Sequence, residues 1–182
     1  MAKALNETIT QKVSSKVNQY LETNPQDAKL SLSFFTVSFA TLLVGGILGL
    51  LQGLARAGLL TMPSWFDYYQ TLTAHGLLLI LVFTGTFLVG YIYAGLSHTL
   101  GGLLPKVRKM GWIAFSLMVF GTVLTASQII IGEASVLYTF YPPMAASPWF
   151  YIGLVFVVLG VWSAAIGAWI NIANWRKRHR GQ

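Results

Sequence analysis

The sequence contains no cysteine. That excludes a disulfide, an iron–sulfur cluster, a thiolate metal site and a c-type haem attached through its sulfurs. Charge is nearly as scarce: Asp, Glu, Lys and Arg make up 9% of the 182 residues, against about 25% in a soluble domain. A water-exposed surface cannot be assembled from that supply. Residues 30–55, 68–105, 110–132 and 134–175 hold no Asp, Glu, Lys or Arg at all. Each run is longer than the roughly 20 apolar residues that cross a bilayer. Disorder, collagen, coiled coil and a soluble enzyme are excluded. The composition predicts an all-α polytopic membrane bundle of four transmembrane helices.

Acidic residues are the rarer sign, 5 against 12 basic ones, for a net charge of +7. The basic residues fall at the amino end (Lys3, Lys12, Lys16, Lys29), between the second and third runs (Lys106, Arg108, Lys109), and at the carboxyl end (Arg176, Lys177, Arg178, Arg180). These are alternate sides of a four-pass protein, the positive-inside pattern for two cytoplasmic termini. The excess charge therefore reads as topology and contact with anionic membrane lipid, with no nucleic-acid partner expected. Residues 1–29 form the polar segment, where Leu5, Ile9, Val13, Val17, Tyr20 and Leu21 recur at helical spacing before Asn24 and Pro25. They predict a short amphipathic helix on the cytoplasmic surface and not a signal peptide. The expected organisation is 1–29 as this segment, 30–175 as the membrane region and 176–182 as a basic cytoplasmic tail.

Spans are expected over about 32–54, 69–96, 111–132 and 149–175, cut where the apolar pattern stops. Two small-residue stripes, Gly45, Gly49 and Gly53 in the first span and Gly160, Ala164 and Ala168 in the fourth, suit close helix contact. At least one is expected to serve a partner chain. Few residues in the spans can carry chemistry. Gln52 and Gln128 read as hydrogen-bonding glue between helices, and Glu133 as a solvated residue at an outer helix end. His98 reads as an interfacial residue reaching toward water, and His179 as part of the solvated tail. His75 lies about 9 Å into the second span at 1.5 Å per residue. An ionisable group at that depth needs a partner in the bundle. Chemistry alone leaves two readings open: a histidine hydrogen-bonded to a neighbouring helix, or an axial ligand to haem iron.

Two stretches carry a family resemblance. Tyr68-Tyr-Gln-Thr-Leu-Thr-Ala-His75-Gly resembles the second helix of subunit I of haem–copper terminal oxidases, where a histidine in a Thr-x-His setting ligates the low-spin haem. Glu133-Ala-Ser-Val-Leu-Tyr-Thr-Phe-Tyr-Pro-Pro143 resembles the loop between the third and fourth helices of that subunit, in the wording of its B-type branch. The resemblance covers roughly 30–175. It implies that His75 is the low-spin haem ligand and that Tyr138 and Tyr141 border the haem. It also implies a prokaryotic cell membrane, and electron transfer from a cytochrome c or a quinol to oxygen in aerobic respiration. A complete subunit I has about twelve helices. The second haem ligand, the active-site haem and the copper with its histidines belong to later helices. Met1 and the basic tail look like the ends of a whole reading frame, so a split or truncated subunit is expected, inactive alone and assembling with the remainder of subunit I and with subunit II. A membrane scaffold without haem and the corresponding piece of a nitric oxide reductase are the alternatives.

Overall fold

The computed structural model describes residues 2–136 and 145–180, without the side chains of residues 2–10, 13 and 16. Its elements are α1 (Ala2–Thr23), α2 (Pro25–Arg56), α3 (Tyr68–Gly76), a π-helical segment (Leu77–Phe83), α4 (Thr84–Leu100), α5 (Pro105–Ile130) and α6 (Pro148–Arg178). Among the described residues there is no strand, only an isolated bridge between Ala134 and Ala146. Four stretches are long and apolar enough to cross a membrane: Pro25–Arg56, Tyr68–Leu100, Pro105–Ile130 and Pro148–Arg178. The chain is a multi-pass membrane protein.

Local chemistry sets the ends. Pro25, Pro105 and Pro148 open helices, where a missing N–H costs nothing. Asp67 and Gln70 close a reciprocal capping box at the start of α3. Gly101 ends α4 in the left-handed conformation at φ 78°, which a side chain would resist. At the basic side all four spans run beyond the apolar pattern, beginning at Pro25 and Pro105 and ending at Leu100 and Arg178. Backbone hydrogen bonding needs no apolar side chains, so a helix continues into the headgroup layer until a cap or a proline stops it.

The second span is not a uniform α-helix. Seven residues after His75 and Gly76 wind as a π-helix, which loosens the i to i−4 ladder and redirects its carbonyls. Hydroxyls take up the slack: Ser38 of α2 donates to Phe83 O at 3.2 Å, Thr84 to Leu79 O at 3.0 Å and Thr86 to Val82 O at 2.7 Å. In a bilayer core no water can do this.

α5 and α6 approach most closely. A Cβ on Gly121 would collide with the Gly153 carbonyl, and one on Gly160 with the Met118 side chain. Leu30, Phe34, Val89, Tyr93, Val107, Ala114, Met118, Val157 and Ala164 fill the centre. Tyr93 is fully buried and donates to Ala164 O at 3.1 Å. A second cluster, Ala74, Leu77, Ile129, Ala134, Val136 and Phe150, closes the other end. Leu43, Leu50, Phe120, Val123, Trp162 and Trp169 face outward with more than half their surface exposed. Their outward placement suits lipid.

Candidate functional site

His75 is held by three successive devices. Asp67 starts α3, and the Gln70 side chain donates to Ile129 O at 2.7 Å, tying the helix start to the end of α5. Thr71 and Thr73 bond back to their own helix, at 2.8 Å to Asp67 O and 2.6 Å to Tyr69 O. These bonds bring His75 against α2, where its Nδ1 lies 2.8 Å from Gly45 O. A carbonyl can only accept, so Nδ1 carries the proton. In the neutral ring Nε2 is then the bare lone pair. The ring lies on Gly49: a Cβ there would stand 2.5 Å from Cε1 and 2.6 Å from Nδ1.

The first-span glycine stripe therefore works inside this chain. Gly45 receives Leu79, Gly49 receives the imidazole, and only Gly53 has open space beside it. The fourth-span stripe is likewise used internally, Gly160 against Met118 and Ala164 against Tyr93. The stripes pack within the bundle because α2 meets the second span and α6 meets both α5 and α4.

The remaining candidates fall elsewhere. His98 is exposed and meets the edge of Tyr20 at 6.4 Å. It lies 23 residues beyond His75 on the same span, hence about 35 Å away. His179 stacks on Trp175 at 4.5 Å and bonds to its carbonyl at 2.9 Å. Glu133 is exposed, and Gln128 accepts from Ser147 at 2.7 Å across the gap to α6. Tyr138 and Tyr141 lie outside the described residues. The flanks of their loop are joined: Ser147 N donates to Glu133 O at 2.8 Å and Ser135 N to Ala145 O at 3.3 Å.

Sequence reasoning missed a polar network at the basic end. Asp27, fully buried, faces Arg108 with Oδ1 at 2.6 Å from Nε, and its Oδ2 accepts from Ser97 Oγ and Leu103 N at 2.8 Å each. Arg108 also donates to Gln26. Asn171 accepts from Leu104 N at 3.0 Å. Five segments thus meet in one knot: α2, α4, the turn after it, α5 and α6. The signal was an acid and an arginine in opposite flanks of a basic face, but nothing in the chain order pairs residues 81 apart.

Among the described residues no group of three His, Asp or Glu gathers that could hold a bare metal ion. A single half-buried imidazole with its Nδ1 pinned and Nε2 free suits a different task. It fits a haem iron, which brings four ring nitrogens of its own and asks the protein only for axial bonds.

The family model for cytochrome c and quinol oxidase polypeptide I matches residues 29–181. A curated relative, cytochrome c oxidase subunit 1 of Thermus thermophilus, is 30% identical over 171 residues, covering 90% of this chain and 29% of that protein. A solved structure described as a heme-copper terminal oxidase dimer superposes with a TM-score of 0.77 at 34% identity, over 86% of this chain and 27% of that one. The chain thus spans under a third of the length of either relative. Matched over most of its length in sequence and in backbone, the chain belongs to the cytochrome c and quinol oxidase polypeptide I family.

Proposed function

We propose that this chain is the amino-terminal four-helix portion of subunit I of a B-type haem–copper terminal oxidase, in which His75 Nε2 supplies one axial ligand to the low-spin haem. The observation that carries the reading is the Gly45 carbonyl on Nδ1 at 2.8 Å. It selects the tautomer with a free Nε2 and raises the basicity of the ring, as a hydrogen-bonded partner does for ligating histidines generally. Gly49 leaves room for the ring against α2, and the π segment begins two residues after His75.

When bound, such a haem supplies a one-electron relay between a cytochrome c or quinol donor and an oxygen-reducing haem–copper centre. The copper and the second haem belong to that centre, which this chain cannot build. Its 3 histidines include two, His98 and His179, that lie far from His75. The remainder of subunit I and subunit II are its proposed partners, with Tyr138 and Tyr141 bordering the haem from the outer loop. The B-type assignment rests on the wording of residues 133–143. The basic end is proposed to face the cytoplasm of a prokaryotic cell, since Lys106, Arg108, Lys109, Arg176, Lys177, Arg178 and Arg180 are costly to translocate.

The test is His75→Ala in the assembled complex, read by reduced-minus-oxidised spectroscopy. One axial bond is removed, so the sharp low-spin band and electron entry are expected to disappear. His98→Ala is expected to leave both intact. An unchanged low-spin band in His75→Ala would refute the ligand assignment and leave a scaffold without haem. The wild-type chain alone is expected to bind haem weakly, because the second axial ligand is supplied from elsewhere.

A further inference from the structure

The carboxyl end of α6 carries a groove of about 300 Å³ lined by Trp169, Ile172, Ala173, Arg176, Lys177 and Arg180. It changes character along its length. Trp169, Ala173 and Arg176 recur at offsets of four and seven residues, which places them on one face of α6, and Arg180, in the turn just after the helix, lines the same groove. The apolar part comes first and the three cations follow. From Trp169 to Arg176 the rise is about 10 Å, the separation between a lipid's phosphate and the upper part of its acyl chains. Trp169 is 75% exposed, an aromatic at the depth where membrane interfaces concentrate them.

The charges are unspent. The chain's single salt bridge among the described residues joins Asp27 to Arg108. Arg176, Lys177 and Arg180 have neither an ion pair nor a side-chain hydrogen bond among those residues, and α6 contains no Asp or Glu. Three uncompensated cations beside an apolar strip of the same helix are complementary to one class of molecule, an amphiphile with an anionic head.

We infer that this groove binds one anionic phospholipid of the leaflet at the basic end of the bundle. Its phosphate lies among Arg176, Lys177 and Arg180, and an acyl chain lies along Trp169, Ile172 and Ala173. This is a located site, distinct from the diffuse attraction of any basic surface to an anionic membrane. It is independent of the haem reading.

Two exposed arginines separate the alternatives. Arg176→Gln removes a groove charge, while Arg178→Gln removes an equal charge from the other side of the helix, outside the groove lining. The chain is recovered from its membranes in mild detergent with whatever subunits accompany it. It is then equilibrated with mixed micelles of phosphatidylglycerol and phosphatidylcholine, and retained lipid is counted by native mass spectrometry. Wild type and Arg178→Gln are expected to retain phosphatidylglycerol selectively. Arg176→Gln is expected to bind it about fivefold less, the equivalent of about 1 kcal/mol per basic residue. Ala173→Leu, which fills the apolar part at unchanged charge, is expected to weaken retention too. Equal losses in the two arginine variants would mean diffuse surface charge and overturn the site. So would equal retention of the two lipids, displacement of the lipid by millimolar inorganic phosphate alone, or full retention in Ala173→Leu.

Discussion

At the basic end of the bundle, Asp27 is wholly buried and both of its oxygens are taken, one by Arg108 and the other by Ser97 and the Leu103 amide. At the opposite end, His75 is half-buried, with one nitrogen bonded to the Gly45 carbonyl and the other bare. Both groups are costly inside a membrane protein, and each is bonded to a backbone group, Asp27 to the Leu103 amide and His75 to the Gly45 carbonyl. The difference lies in what remains unspent. A fully buried carboxylate with both oxygens engaged holds the helices together and leaves little to offer a ligand. A polar group pinned on one side and left open on the other is a poor structural element and a good coordinating one.

That contrast predicts that damage to the basic end shows in stability, and damage to the His75 end in spectra. Arg108→Ala leaves Asp27 as an unpaired buried carboxylate. Breaking a buried pair costs about 3–5 kcal/mol, and the lower figure applies because Arg108 keeps 25% of its side chain exposed. A loss of about 3 kcal/mol is expected in detergent unfolding. His75→Ala is expected to cost about 1 kcal/mol or less in the same assay, in line with single hydrogen bonds between membrane helices. If the two variants unfold alike, the division between a structural end and a functional end fails.

Gly49→Ala comes next. Its Cβ would lie within 2.6 Å of the imidazole, so the ring must tilt or the helices part. Overpacking of this kind costs about 1–3 kcal/mol, and in the assembled complex the low-spin band is expected to shift or broaden. Ser38→Ala removes the cross-helix bond to Phe83 O and is expected to cost about 0.6 kcal/mol, read by faster amide exchange along the π segment. Gly53→Ala, four residues beyond Gly49 and with nothing within 4 Å, should change stability by less than about 0.5 kcal/mol and leave the spectrum alone. A Gly53→Ala variant as damaging as Gly49→Ala would mean that the stripe acts as a packing face and not as a seat for one ring.

The number of spans was legible because charge is excluded from hydrocarbon whatever lies beside it, so four charge-free runs suffice to count them. His75 stood out for the same reason: it interrupts an apolar run in which it has no local partner. The flanks of the spans were less legible. The apolar pattern stops near the first charges at Lys29, Lys106 and Arg176, whereas the helices run through them, since a helix pairs its backbone regardless of side-chain polarity. Arg108 reads in the sequence as a topological charge. In the fold it is also the partner of Asp27, 81 residues away.

The amino-acid order by itself therefore determined the class of solvent this protein folds in, the number of crossings, the side on which charge collects and which histidine is anomalous. Those properties follow from transfer free energies that each residue carries alone. Only the tertiary structure decided that Gly45 holds Nδ1, that Gly49 seats the ring, that the second span turns to a π-helix after it and that Asp27 closes the basic end. Each depends on the rotation and register of one helix against another, which packing of the whole bundle sets and no local pattern encodes.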